Sequence, residues 1–436
     1  MGQHNVSAEE RPAAFSLFAA DYRYFHTHVE PSAIGAHGIG AHLVPEVRRA
    51  LCAHYHLLAS LLAATRGVAL INFGAEWIEP DYVSTLEQMI TSCGISPNQT
   101  ILLHYNLGTM LPLEDNFLLP AGATYLKEHW SPFMRWARTA YSTEPTIRSS
   151  QLRHAYWNYY YAAILATTRT CATPQELRER FESGLMRRRH AFTMLGGQAR
   201  AFRGVVMLEM ARRGLLGRAQ WSAGRFPFCS QANASSASSA RHAKGYASAG
   251  PFAYNDSLHL LSNHSLVGWF CAQLPHTLDV DPTLKRLTDF GTAPELYRTT
   301  RFAVVLETSF DSATRHHRVL YVTEKPLKPM LNLRPFILLG SAGGLATLRS
   351  LGFHTFEPLV DEQYDRLVER EPRLSLALGE VERLATRLPS KAWKAVAAAT
   401  AHNQRHLACG GLRRVMGAHA VEAVRLAWDV SRSQIS

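Results

Sequence analysis

Apolar positions along the chain gather into short unbroken runs, separated by longer stretches in which they recur at helical spacing. "GVALINFG" (67–74) is apolar almost throughout and bracketed by glycines, which predicts a strand buried on both faces. "EPDYVSTLEQMITSCG" then predicts a helix ending at Gly94, and "QTILLHYNLG" (99–108) predicts the next strand. Strand, helix, strand in that order is the building unit of an open parallel sheet. The aromatic segment "HAYWNYYYAAILA" (154–166) reads as a buried or domain-facing helix. "TPQELRERFESGLMRRRH" (173–190) reads as a polar helix capped by Thr173.

A second alternating block begins near residue 189. "RHAFTMLGG" predicts a strand running into Gly196-Gly197, "QARAFRGVVMLEMARRGLLG" an amphipathic helix closed by glycine, and "RAQWS" another strand. Residues 230–250 are rich in Ser, Ala and Gly, cannot contribute a core, and predict a mobile surface loop carrying Arg241, His242 and Lys244. Beyond it "RFAVVLETS", "RVLYVTEK" and "RPFILLG" predict three strands, and "GGLATLRSLG" opens on a glycine turn. The last third is patterned as helices. Two α/β blocks of similar size with a helical tail predict an α/β protein of two Rossmann-like domains, with its ligand between the blocks.

Length agrees with that division, since 436 residues exceed one ordinary core. A hydrophobic fraction of 47% with 19% charged residues excludes disordered and fibrous classes. No uncharged apolar run approaches the roughly 18 residues of a membrane span, and the first residues lack the pattern of a secretory leader. The six cysteines are far apart, without CxxC or zinc spacing, so reduced thiols in a cytoplasmic protein are expected. Forty-six basic against thirty-five acidic side chains, a formal charge of +11, favour an anionic partner.

Candidate chemistry falls where strands end, the edge at which open α/β sheets bind ligands. Glu307, Thr308 and Ser309 close one predicted strand; Thr323, Glu324 and Lys325 close the next, with Lys328 just beyond. Gly196 and Gly197 sit at the equivalent turn of an earlier strand, with Arg200 and Arg203 one turn into the following helix. Lysine or arginine beside backbone N–H groups at a strand-to-helix turn makes a site for an anion. A rival signal, Asp279-x-Asp281 in "LDVDP", has the form of a divalent-cation triplet. In the first block Glu76 and His104 lie at or near strand ends as well.

The stretch "RFAVVLETSF…LYVTEKPLKPMLNLRPFILLGSAGGLATLRSLGFHTF" (301–356) resembles a family of bacterial and phage glycosyltransferases and, more distantly, the donor-binding domain of the alpha-1,3-fucosyltransferases. The shared pattern here is Glu307-Thr308, Thr323-Glu324-Lys325, Lys328-Pro329, Pro335-Phe336-Ile337 and the run Leu351 to Phe356. Arg203 and Asn403 match further positions, whereas Gly196 and Phe202 stand where the family has Asn and His. The resemblance implies a GT-B arrangement: an acceptor-side domain over 1–185, a nucleotide-sugar-binding domain over 186–410, and a C-terminal helix over 411–436. It implies a nucleotide-sugar co-substrate, no permanently bound cofactor, and charge neutralisation by Lys325 and Arg203 in place of a metal. Glu76 would then be the base of an inverting transfer, with His104 the second choice. Arg241 and Lys244 would meet an acceptor such as a hydroxymethylated base in DNA. An envelope glycan or small-molecule acceptor, and a non-catalytic DNA- or nucleotide-binding protein, stay open as alternatives.

Overall fold

The structure is a computed structural model. It describes the backbone of residues 24–29, 68–73, 100–104 and 153–156 and, with short interruptions, residues 87–97, 172–229, 262–278, 294–310 and 322–415. The chain divides into two compact units, Met1–Tyr159 with Arg413–Ser436, and Tyr160–Leu412.

The first unit contains four parallel strands in the order β1-β2-β3-β4: Tyr24–Val29, Val68–Phe73, Thr100–His104 and Arg153–Tyr156. β2 and β3 are the two apolar runs expected as strands. Two further strands depart from the sequence reading. β1 carries His26 and His28 within its run, which breaks the apolar signal. β4 occupies the start of the aromatic segment expected to be helical; pairing of Ile101 to His104 with Arg153 to Tyr156 overrides the local preference.

The second unit is built on a parallel sheet of order β6-β5-β7-β8, and together the two sheets make the protein a mixed α/β structure. Helix α1 (Pro174–Leu185) precedes β5 (His190–Gly196), which is followed by α2 (Ala201–Arg212) and β6 (Ala219–Ala223). Then come α3 (His264–Ala272), α4 (Pro294–Arg298) and β7 (Thr300–Leu306). The remainder is α5 (Leu327–Leu331), β8 (Phe336–Leu339), α6 (Gly344–Ser350), α7 (Arg370–Thr386) and α8 (Ala397–Ala408).

The inner strands β5 and β7 form the core, as their continuous apolar runs require. Phe192 and Phe302 are buried neighbours across the pair, with ring centroids 5.4 Å apart. Burying each such side chain is worth roughly 2–3 kcal/mol. Helix α1 begins as expected: Thr173 Oγ1 accepts from Glu176 N, and the Glu176 carboxylate accepts from Thr173 N and Oγ1, a reciprocal capping box. It packs on α8 through Leu177 and Ala401, and Arg405 donates to the Ala172 carbonyl at 2.6 Å. Helix α2 is buried from Phe202 through Met210 rather than two-faced. Gly204 allows this packing, because a Cβ there would stand 2.5 Å from Phe228 and 3.0 Å from Phe226.

Those rings belong to a cluster with Trp221 and Phe270, and beside it Cys229 and Cys271 form a disulfide with Cα atoms 5.4 Å apart. Cys409 is disulfide-bonded as well. The expectation of reduced thiols is therefore corrected. Forty-two residues separate the first pair, and nothing in that spacing signals that β6's exit and α3 share one cluster. Among the described residues no helix is long and apolar enough to cross a membrane.

Candidate functional site

At the carboxyl end of β7 the chain leaves the sheet at Glu307, which is 1% exposed and whose N–H still donates to Leu339 on β8 at 2.9 Å. Gly340, just past β8, leaves room for it: a Cβ at that position would come within 3.2 Å of Glu307 Cβ and Cγ. The Glu307 carboxylate turns to the segment that enters α5. Oε1 accepts from Thr323 N at 2.9 Å and Oε2 from Thr323 Oγ1 at 2.7 Å. Thr323 Oγ1 in turn accepts from Lys325 Nζ at 2.8 Å. The ammonium lies 3.8 Å from Glu307 Oε2 and 3.6 Å from Glu324 Oε1, and the Lys325 side chain keeps 22% exposure.

Residues 322–325 were expected to finish a strand. They are irregular instead, because Thr323 spends its N–H and hydroxyl on Glu307 rather than on a strand ladder. Helix α5 follows directly and has only five residues, with Lys328 half-buried in its first turn.

Arg203, in the first turn of α2, belongs to the same neighbourhood. It is 3% exposed, and its NH2 donates to the carbonyls of Leu306 and Glu307 at 3.4 and 3.3 Å, joining α2 to the end of β7. Gly196 ends β5 in close packing: a Cβ there would meet Met207 Cε at 2.4 Å and the Ser222 carbonyl at 3.1 Å. Two cations and two carboxylates thus converge on one sheet edge, and formally their charges cancel.

The glycine turn after β8 is organised differently from an open anion site. Gly343 adopts φ +82°, a conformation glycine takes without cost. Past Gly344, the N–H groups of Leu345 and Ala346 donate to the Asp365 carboxylate at 3.0 and 3.1 Å. The protein's own carboxylate therefore occupies the amino end of α6. Burial raises the Asp365 pKa, partly offset by those backbone hydrogen bonds. Glu362 is also pushed up by burial, against the pull of Arg349, which it binds at 2.8 Å. Tyr364 Oη, between them in sequence, accepts from Leu338 N on the edge strand β8 at 3.2 Å.

Asn403 is fully buried on α8. Its amide accepts from His354 N and donates to the His354 carbonyl, both at 2.8 Å. His402, just before it, and His406, about one turn on, bond through Nε2 to the carbonyls of Gly352 and Leu351. These contacts fix the backbone of the Leu351–Phe356 run. Asn403 is a backbone clasp here.

Sequence reasoning placed Glu307, Thr323, Glu324, Lys325 and Arg203 together, and the structure brings them together. It did not find Asp365, Glu362 or Arg373. The last is buried, stacks over Phe310 at 4.4 Å and donates to the carbonyls of Leu367, Val368 and Phe310. His104 is the last residue of β3, paired with Tyr156. Glu76, Gly197, Arg200, Arg241, Lys244, Asp279, Asp281, Thr308 and Ser309 lie outside the described residues.

No family model matches the chain. No curated protein matches it. Among solved structures, a glycosyltransferase from Rickettsia africae ESF-5 aligns over 95% of this chain and 98% of its own, at 10% identity and a TM-score of 0.36.

Proposed function

We propose that the protein is a glycosyltransferase that moves a sugar from a nucleotide-sugar donor to an acceptor hydroxyl, with two Rossmann-like domains arranged as in GT-B enzymes. The observation that supports this most is the edge formed by Glu307, Thr323, Glu324 and Lys325, where a half-buried ammonium stands at the carboxyl end of a parallel sheet. Cleaving a sugar–phosphate bond leaves a diphosphate whose growing charge needs a fixed cation. Lys325 meets that need without a metal, and Lys328, three residues on, adds the charge that Glu307 and Glu324 otherwise cancel. Glu76 serves as the base for an inverting attack, and Thr308 and Ser309 hold donor hydroxyls. The chain's charge of +11 supports an anionic acceptor, a hydroxymethylated base in DNA met by Arg241 and Lys244.

A thermal-shift screen of nucleoside diphosphates and nucleotide sugars in EDTA tests the donor. One nucleotide should raise the midpoint by mass action, and its sugar conjugate should do the same. Stabilisation by none of them sinks the proposal. Stabilisation by nucleotides without any sugar transfer or donor hydrolysis would leave a nucleotide-binding protein.

A further inference from the structure

We propose that Glu307 and Thr323 form a directional relay that aims the Lys325 ammonium, acting as positioning residues for that cation. The polarity follows from which groups can donate. An ionised carboxylate only accepts, and it faces two donors on one residue: Thr323 N at 2.9 Å and Thr323 Oγ1 at 2.7 Å. With its single proton committed to Glu307, the threonine oxygen has only lone pairs to present elsewhere. Lys325 Nζ, which can only donate, sits against that oxygen at 2.8 Å.

Burial makes the arrangement stiff. Glu307 and Thr323 are each 1% exposed, so the relay is fixed in the sheet edge while the lysine reaches toward solvent. Glu307 is clamped further by its backbone bond to β8 and by Gly340 lying flat against Cβ and Cγ. Glu324, the other carboxylate near the ammonium, belongs to the turn itself and shares none of these anchors.

The polarity also says what breaks the relay. In Thr323→Val the lysine loses its acceptor. In Glu307→Gln the amide can accept from Thr323 N only by turning its NH2 group toward Thr323 Oγ1. The hydroxyl proton must then point away from residue 307 and compete with the ammonium. Thr323→Ser keeps every bond in the chain.

The relay stands on the geometry; its ligand, a diphosphate, rests on the reading above. Both are tested by acetylating the intact protein with acetic anhydride at fixed pH, with and without pyrophosphate, and following Lys325 by peptide mass spectrometry. Lys328, three residues on, is the reference without pyrophosphate; with pyrophosphate, the reference is the summed labelling of the protein's other lysine peptides. Labelling of Lys325 relative to Lys328 should rise about tenfold in Thr323→Val and Glu307→Gln, as expected for losing a bond to a charged donor, and stay within about twofold in Thr323→Ser. General loosening would raise both lysines together. Glu307→Gln is isosteric, so the comparison survives if Thr323→Val does not fold. Unchanged Lys325 labelling in Glu307→Gln overturns the relay. The labelling contrast without pyrophosphate protection of wild-type Lys325 upholds the relay and overturns the diphosphate.

Discussion

Asp365→Ala should destabilise the second unit by about 2–3 kcal/mol, and the structure says where that energy resides. The carboxylate accepts from Leu345 N and Ala346 N, and its own backbone carbonyl accepts from Gly343 N at 2.7 Å. Truncation leaves two donors at the start of α6 without the acceptor that satisfied them, each costing about 1–3 kcal/mol when buried. Part of that cost is offset, because removing a buried carboxylate also removes the desolvation that raises its pKa. An N-cap loss of about 1–2 kcal/mol gives the same scale. Urea unfolding followed by tryptophan fluorescence should show the midpoint lowered at unchanged slope, with the melting temperature down by roughly 5–10 °C. Asp365→Asn, which can satisfy one donor and not both, should lose about half as much. The pH dependence has a definite sign. Burial raises the folded-state pKa of Asp365 above 3.8 and that of Glu362 above 4.5. Both groups hold protons more tightly in the folded state. Their contribution is therefore full below the ordinary values and is lost as pH rises through the raised ones. Wild type should lose stability relative to Asp365→Asn over that window. An alanine variant within about 0.5 kcal/mol of wild type would show that α6 does not depend on this cap.

Opening the Cys229–Cys271 bond should cost up to about 4 kcal/mol, from the loop of 42 residues it closes, and Cys229→Ser should match reduced wild type in thermal melts. Equal melting with and without reductant would refute that role. Asn403→Ala removes both partners of the His354 backbone and should cost about 2–4 kcal/mol, read by denaturant titration. A near-neutral result would mean that water replaces the amide.

Strands β7 and β8 of the second sheet were legible because they are buried on nearly every residue. "FAVVL" and "FILL" have no polar interruption, and they are β7 and β8. Strand β1 was not legible, since histidines at positions 26 and 28 give it a half-polar pattern. Strand β4, Arg-His-Ala-Tyr, has no strand pattern of its own inside a run that reads as a helix, and its pairing with β3 is a tertiary fact. The convergence of Glu307 with Thr323 and Lys325 could be anticipated only from the rule that ligand groups gather at strand ends. The hydrogen bonds joining residues sixteen apart are a tertiary fact. Asp365 was invisible for the opposite reason. It lies in "DEQYDR", polar by composition and surface-like on any pattern, yet it is 4% exposed because a helix end needs a carboxylate there.

The central claim is that Lys325 faces the diphosphate of a nucleotide donor. It is tested most directly by isothermal titration of the nucleoside diphosphate that gives the largest thermal shift, into wild type and Lys325→Ala, in EDTA. The far-UV spectrum of each protein is recorded to show the fold intact. One charge-assisted contact is worth about 1.5–3 kcal/mol, so the variant should bind roughly 10- to 150-fold more weakly while the spectrum stays native. Equal affinity in the two proteins would contradict the account.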